Sequence, residues 1–393
     1  MKLIYAVIVA VIGQLVSADQ QQQLALSSAS SDFSQRLYQK VALNEPSIVY
    51  SPYSIHSALT MTSLGARGDT ETEMKNTLGI TSLGNSVHTI YKELIEQINS
   101  VTDVELNTAN AIFVNPDFQI VPKFTRDTTE SYSAQTANID LSANGGPEKP
   151  INDYVSNKTK NIIQNILLPG TIDDDTVMLL INTIFFNGTW ESTFDEHQTR
   201  NQDFNQLPYV VKQVEMMTDD RNANIKRDAV KKVDVAELPF KGGRFSFYIA
   251  LPHAVDGITD LEQLLVQPAN VKQLFTGLTN IRVRLSIPKF KTETTLSLNN
   301  PLKDLGIRKA FIKNAANFSG ITSADIFISE VLHKAVIEVK ETGTVAAAAT
   351  VGKLVFESLP LPPRERFTAD HPFVYFLRDN QTGQILFQGK FSG

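Results

Sequence analysis

Near the C-terminus, residues 341–356 read Glu-Thr-Gly-Thr-Val-Ala-Ala-Ala-Ala-Thr-Val-Gly-Lys-Leu-Val-Phe. Every side chain from Gly343 to Gly352 is small or β-branched, and none is charged. One interpretation is a short helix, because alanine has the highest helix propensity. The two glycines and the interleaved Thr and Val residues argue against that helix. A stretch with no large or charged group on either face is suited to enter a sheet as a central strand.

The flanking residues define how such a strand would be presented. A strand pattern ends at Val339, so entry into the same sheet requires a chain reversal near Glu341 to Gly343. Beyond it, residues 358–363 (Ser-Leu-Pro-Leu-Pro-Pro) are proline-rich and predicted to be extended. The sequence therefore predicts an exposed, strand-competent loop over about residues 341–363.

The N-terminus predicts a secreted protein. A short basic start is followed by the apolar run Leu3 to Gly13 and by small residues at Val16-Ser17-Ala18. This pattern is typical of a signal peptide over residues 1–18, with a mature chain from Asp19. The alternative, a membrane anchor, would need a run of about 20 apolar residues, and this run is shorter. Four sequons agree with secretion and make these residues glycosylation candidates: Asn157, Asn187, Asn317 and Asn380.

Composition excludes several classes of protein. The 393 residues include 36 Lys and Arg against 42 Asp and Glu, for a net charge of −6. This acidic balance argues against a nucleic-acid partner, which attracts basic proteins. The chain has no Cys, so disulfide scaffolds, cysteine nucleophiles and thiolate metal sites are impossible. Its stability must come from a large core.

Periodicity predicts an α+β protein. Helical patterns dominate the first half, and strands dominate from Tyr209 onward. The predicted helices are 32–43, 53–64, 69–78, 88–98 and 151–168. The predicted strands are 110–114, 177–186, 233–238, 245–251, 281–287, 326–339, 373–377 and 385–391. Asp19 to Gln23 is predicted to be a disordered tail. No linker or repeat divides the chain, so we expect residues 19–393 to form one domain with large mixed or antiparallel sheets.

Motifs for catalysis are missing. The sequence contains no GxSxG, HExxH, GxGxxG or phosphate-binding loop. Its six His residues are scattered, and no pair has metal-ligand spacing. We therefore expect no enzyme activity, no metal site and no cofactor.

Short motifs along the whole mature chain resemble the serpin family. Each is weak alone, but they occur in the family's order. They are 51–55 (SPYSI), 64–67 (LGAR), 108–113 (TANAIF), 151–155 (INDYV), 182–186 (NTIFF), 188–190 (GTW), 317–321 (NFSGI), 333–335 (HKA), 370–373 (DHPF) and 382–387 (TGQILF). The resemblance implies a serpin-like fold with an exposed reactive loop.

The resemblance also implies a mechanism. A serpin acts as a suicide substrate: a protease cleaves the loop, which then inserts as a new strand and distorts the trapped acyl-enzyme. In this chain, insertion would involve residues of about 343–356. The implied hinge residues are Glu341, Gly343, Thr344, Ala346, Ala347, Ala348, Ala349 and Thr350. Alternation would bury Thr344, Ala346, Ala348, Thr350 and Gly352, all of which are small. Val345 and Thr342 depart from the charged residues that inhibitors often carry there, and we regard both departures as mild.

Further site residues are implied by the same resemblance. Ser51, Ser54, Asn182 and His333 are implied to form a polar cluster beneath the point where the sheet opens, although they could equally be ordinary buried polar groups. Trp190 resembles the aromatic residue at the top of the sheet, where insertion begins.

The scissile bond is less sharply defined. Counting from Glu341 places it between Glu357 and Ser358, which requires a protease with a cationic specificity pocket. A shift of one residue gives Phe356–Glu357 and a chymotrypsin-like target. A shift forward gives Ser358 or Leu359, which would suit elastase-like or cysteine proteases.

Two functions from different classes remain. The first is a monomeric, secreted inhibitor that forms a covalent complex with an extracellular protease, with serine proteases preferred and cysteine proteases as a variant. The second is a non-inhibitory serpin acting as a carrier, storage protein or chaperone. We expect no heparin site on the helix around residues 85–99, where Lys92 and His88 face Glu93 and Glu96. The cations Arg221, Lys226, Arg227, Lys231 and Lys232 are interpreted as a solvated hairpin.

Overall fold

A computed structural model of the chain describes residues 18–344 and 365–393. Most of the predicted signal peptide lies outside these residues, and so do residues 345–363 of the loop predicted over about 341–363. The hinge residues Ala346 to Thr350 and both candidate scissile bonds therefore lie outside them as well.

Within the described residues there are nine α-helices, six of which end before residue 160, as the sequence predicts for a helix-rich first half. They are α1 (Ala18–Val41), α2 (Pro52–Ser63), α3 (Gly68–Leu78), α4 (Ser86–Asn99), α5 (Pro122–Tyr132), α6 (Glu148–Lys158), α7 (Ile258–Leu265), α8 (Pro268–Leu274) and α9 (Asn299–Leu305).

Local sequence signals account for several helix ends. Ser51 caps α2 by accepting a hydrogen bond from the Ser54 amide, and Pro52 occupies the first helical position. Helix α3 ends at Gly79, which adopts a left-handed φ of 70°. These helices lie within a residue or two of their predicted positions.

Two predictions about helices were wrong. Asp19 to Gln23 is not a disordered tail but the start of α1, since glutamine is a good helix former and the apolar face farther along holds the helix against the core. The helix predicted over 151–168 ends at Lys158. It ends because Lys160 and Asn161 adopt positive φ angles, and because the Thr159 hydroxyl accepts a hydrogen bond from the Ile163 amide.

The strands form two mixed sheets. They are β1 (Ile48–Tyr50), β2 (Val104–Val114), β3 (Gln135–Asn138), β4 (Met178–Thr189), β5 (Arg200–Leu207), β6 (Val210–Asp228), β7 (Val233–Pro239), β8 (Phe245–Pro252), β9 (Thr279–Pro288), β10 (Phe290–Ser297), β11 (Glu330–Val339), β12 (Gly343–Thr344), β13 (Glu365–Thr368), β14 (Phe373–Asp379) and β15 (Ile385–Phe391). This confirms the predicted α+β class with large mixed sheets.

The six-stranded sheet has the order β10-β11-β4-β2-β3, and the two-residue β12 pairs with β4. The nine-stranded sheet has the order β1-β15-β14-β8-β7-β6-β9-β13, with β5 added on β6. Strand β4 is the apolar run identified in the sequence, and its residues 178–186 are buried. Helix α2 is buried along its whole length. It packs against β2 and β4 of the six-stranded sheet and against β15 of the nine-stranded sheet.

Candidate functional site

The predicted hinge begins with the two-residue strand β12, which pairs with the C-terminal end of β4. Gly343 pairs with Thr189 and Thr344 with Gly188, in antiparallel register. Gly343 has a φ of 140°, and a Cβ atom there would lie 2.0 Å from the Gly188 carbonyl oxygen. Only glycine fits this position without moving backbone. The geometry therefore requires a glycine at position 343, the residue that the sequence predicts to act as the hinge.

Thr344 is fully buried at this point. Its hydroxyl oxygen accepts a hydrogen bond of 3.0 Å from the Gly188 amide. The first two residues of the predicted inserting segment are thus already paired with β4, and the remaining ones lie outside the described residues.

Glu341 anchors the chain just before β12. Its side chain is 4% exposed; Thr199 donates a hydrogen bond of 2.8 Å to one carboxylate oxygen, and the Lys289 ammonium lies 3.4 Å from the other. Burial alone would raise the pKa of the Glu341 carboxyl. Its hydrogen bonds to its own backbone amide and to Thr199, with the charge of Lys289, lower the pKa below its usual value. Glu341 is therefore ionised and fixes the turn.

Trp190 lies against the same turn. Its indole Nε1–H donates to the Lys340 carbonyl at 2.8 Å, and its backbone amide donates to the Thr342 carbonyl at 3.0 Å. The ring is 2% exposed and stacks on Phe240 with a centroid distance of 4.4 Å. The only tryptophan of the chain thus joins the C-terminal end of β4 to the turn before Gly343.

A buried polar row crosses the sheet lower down. His333 on β11, Asn182 on β4 and Asn110 on β2 occupy the same register position on three adjacent strands. The Asn182 amide nitrogen lies 2.5 Å from both the Asn110 side-chain oxygen and the Ser54 hydroxyl. His333 Nδ1 lies 2.5 Å from the Asn182 side-chain oxygen.

Residues at the start of helix α2 form hydrogen bonds with this polar row. The Ser51 amide donates to His333 Nε2 at 3.1 Å, so Nδ1 carries the proton and donates to Asn182. Burial lowers the pKa of His333 to about 3, so the imidazole is neutral at pH 7. The structure therefore brings Ser51, Ser54, Asn182 and His333 into one cluster. Sequence reasoning missed Asn110. Like Asn182, it is a polar side chain inside an apolar strand segment, residues 109–114, and such a residue is a candidate for a buried hydrogen bond.

The bond between His333 and Asn182 crosses the boundary that an inserting strand would open. Strands β4 and β11 run parallel, and residues 179–185 pair with residues 330–336. The pairing of β4 with β11 stops at Phe185, and β12 pairs with Gly188 and Thr189 just beyond that point. A strand that continued from β12 would have to separate β4 from β11 and break this bond.

The four sequons differ in their surroundings. Asn157 is exposed on the last turn of α6, and Asn317 is exposed in a loop. Asn187 is half-buried on β4, next to Gly188. The Asn380 amide nitrogen donates to Ser246 at 2.9 Å and to Glu237 at 3.4 Å, so a glycan there would displace existing bonds.

Helix α4 offers little positive charge. Lys92 is exposed, whereas His88 bonds to the Tyr132 hydroxyl at 2.6 Å, and burial lowers its pKa to about 4. Arg221, which the sequence grouped with a solvated hairpin, instead binds Asp219 and the Ser192 and Thr193 carbonyls.

Within residues 18–344 and 365–393, no helix is long and apolar enough to cross a bilayer. Among the same residues, no three acidic, His or Cys side chains are grouped to hold a metal ion.

Comparison with known proteins agrees with this geometry. The family described as Serpin (serine protease inhibitor) matches residues 28–393. The human leukocyte elastase inhibitor is 35% identical over 93% of this chain and 99% of its own length, and antichymotrypsin-2 of Bombyx mori is 32% identical over 93% and 97%. The crystal structure of Serpin48, a highly specific serpin of the insect Tenebrio molitor, is 30% identical with a TM-score of 0.83, covering 96% of this chain and 99% of that one.

The chain therefore belongs to the serpin family. The two relatives are named as protease inhibitors, and this chain is a serpin rather than an enzyme.

Proposed function

We propose that this serpin is a secreted inhibitor of extracellular serine proteases and acts as a suicide substrate through its loop at about residues 341–363. The observation that carries the proposal is β12. Gly343 and Thr344 pair antiparallel with the C-terminal end of β4. The chain after them would therefore run along β4 toward Met178, the direction that insertion needs. The uncharged, small residues after them add support, since nothing in those residues prevents burial in a sheet.

The register of β12 defines a specific inserted state. Continuing it one residue at a time sets Thr350 opposite Asn182 and Leu354 opposite Met178, the first residue of β4. Residues 343–354 would then match β4 along its whole length. Side chains alternate across a strand, so the face that buries Thr344 would also take Ala346, Ala348, Thr350 and Gly352.

Insertion in this register exchanges one kind of pairing for another. The parallel contact between β4 and β11 would be replaced by a strand antiparallel to both, with hydrogen bonds on two sides. Thr350 would enter the polar row between Asn182 and His333, where its hydroxyl is able both to donate and to accept. The buried polar groups of the row would thereby keep partners after the two strands separate.

The proposed scissile bond is Glu357–Ser358, with Phe356–Glu357 as the alternative. The first requires a protease with a cationic specificity pocket, and the second a chymotrypsin-like enzyme. Sequencing the C-terminal peptide released from a trapped complex distinguishes them.

We also propose that residues 1–18 are a signal peptide and that residues 19–393 form the single secreted domain. The exposed Asn157 and Asn317 support glycosylation better than the hydrogen-bonded Asn380 does. Expression of the full chain in insect cells tests this: we expect protein in the medium with Asp19 at its N-terminus. Retention in the cells with an intact Met1 would contradict secretion.

The decisive experiment incubates the mature protein with a panel of trypsin-like, chymotrypsin-like, elastase-like and cysteine proteases. We expect a covalent band on denaturing gels with at least one serine protease. The matched variant Thr344→Arg should lose that band and become a substrate, because an arginine cannot be buried beside Gly188 at low cost. If every protease only cleaves the wild-type loop, the protein is a non-inhibitory serpin; a band with cysteine proteases alone would reassign the target class.

A further inference from the structure

Three arginines lie side by side on the outer face of the nine-stranded sheet. Arg366 on β13 is the register partner of Arg284 on β9, and Arg282 lies two residues along β9, on the same face. All three side chains are exposed. We call these three residues the arginine face.

Only one of the three is neutralised. Arg284 forms a two-pronged ion pair with Asp220 on β6, at 2.7 and 3.1 Å. In the part of the chain that the structure describes, neither Arg282 nor Arg366 has a carboxylate within ion-pair distance. Neighbouring strands are about 4.8 Å apart, so the uncompensated charge of Arg366 lies beside the Arg284–Asp220 ion pair. An anionic partner would compensate the charges of Arg282 and Arg366.

A cavity lies beside the arginine face. Arg366 lines this cavity of about 500 Å³, whose walls also include Arg227, His253 and the apolar side chain of Phe367. Arg227 is paired with Asp234 and lies 3.8 Å from Glu365, so the cavity is not uniformly basic. The unpaired positive charges of the arginine face are therefore those of Arg282 and Arg366, on a chain whose net charge is −6.

The position of the arginine face indicates its partner. Strand β13 begins at Glu365, where the reactive loop returns to the body of the protein. Eight residues separate Glu365 from Glu357, which is at most about 29 Å of extended chain. A protease of about 230 residues has a radius of gyration of about 17 Å. An enzyme that holds the loop in its active site is consequently large enough to cover β13 and β9.

We propose that the arginine face is a docking surface for an acidic region of the target protease, outside the active site of that protease. The proposal rests on the inhibitory function proposed above and adds a determinant of partner choice that is separate from the scissile bond. Complementary charge at such a surface raises the association rate and has little effect on the steps after cleavage.

The test compares association rates at several salt concentrations. The double variant Arg282→Glu/Arg366→Glu is measured against trypsin-like, chymotrypsin-like and elastase-like serine proteases of known isoelectric point. We expect the association rate with acidic proteases to fall about tenfold at low ionic strength, and the difference to vanish near 0.5 M salt, where the Debye length is only a few ångströms. The number of inhibitor molecules consumed per trapped protease should stay unchanged.

A matched control carries the same change of net charge elsewhere. Arg126 on α5 and Lys313 in a loop are exposed, and Arg126→Glu/Lys313→Glu should leave the rates near wild type. Equal rates for both double variants would overturn the docking surface. So would unchanged rates combined with weaker retention of the Arg282/Arg366 variant on heparin–agarose, which would assign the arginine face to a sulfated polysaccharide. If the wild-type protein traps no protease at all, it is the proposed function that fails.

Discussion

Removing the amide of Asn182 should destabilise the sheet more than any neighbouring polar deletion on β4. In Asn182→Ala, three buried groups lose their partner: His333 Nδ1–H, the Asn110 side-chain oxygen and the Ser54 hydroxyl. Each buried polar group left without a hydrogen bond costs about 1–3 kcal/mol. With three such groups, we expect the free energy of unfolding to fall by at least about 3 kcal/mol.

Urea unfolding followed by the emission of Trp190 measures this loss. With a slope of about 3 kcal/mol per molar urea, the midpoint should move down by about 1 M. Asn187→Ala is the matched control, because Asn187 lies on the same strand, is half-buried and is outside the polar row. We expect it to change the midpoint by less than about 0.2 M.

The same variant tests the link between the polar row and insertion. Because the Asn182–His333 bond holds β4 to β11, Asn182→Ala should lose inhibitory activity faster on standing at 37 °C, without loop cleavage. A loss of stability below about 1 kcal/mol, or an activity lifetime equal to that of Asn187→Ala, would refute the role given to this row.

Three further predictions use the same sites. Gly343→Ala should raise the number of inhibitor molecules consumed per trapped protease, since its Cβ would meet the Gly188 carbonyl; Gly277→Ala, at a positive φ with open space, should not. The free energy of unfolding should fall as the pH drops below about 6.5, by up to about 1.4 kcal/mol per pH unit per histidine. The reason is that His333 and His56 have folded pKa values of about 3 and about 4, below those of the unfolded chain, so the unfolded state binds more protons in that range. A flat urea midpoint from pH 7 to pH 4.5 would contradict this. Loop cleavage should shift the emission of Trp190, which bonds to the Lys340 and Thr342 carbonyls; an unchanged spectrum after complete cleavage would argue against insertion at this point.

Elements with strong local signals were predicted well. The cap at Ser51-Pro52 located α2, and the apolar run in β4 identified a strand buried on both faces. Elements whose limits depend on packing were not. The end of α6 depends on two residues with positive φ, and the start of α1 lies in a glutamine-rich stretch whose helical state depends on the core contacts farther along the helix.

The candidate site divides in the same way. The hinge glycine and the small residues after it could be proposed from the sequence, because such an uncharged run of small side chains is unusual; of these residues the structure describes Gly343 and Thr344. Asn110 could not be assigned to the polar row, because its side-chain partner Asn182 lies 72 residues away, on β4. Strand register, which brings these residues together, depends on the whole sheet.

The sequence by itself determined the family and the α+β class, and it predicted the segment that would become a strand. These depend on side-chain size, charge and backbone freedom, which are properties of residues taken one at a time. Only the tertiary structure decided that Gly343 and Thr344 pair with β4, that a buried polar row joins β4 to β11, and that three arginines share one face beside the start of β13. These facts belong to contacts between strands far apart in the chain, and such contacts exist only once the two sheets have formed.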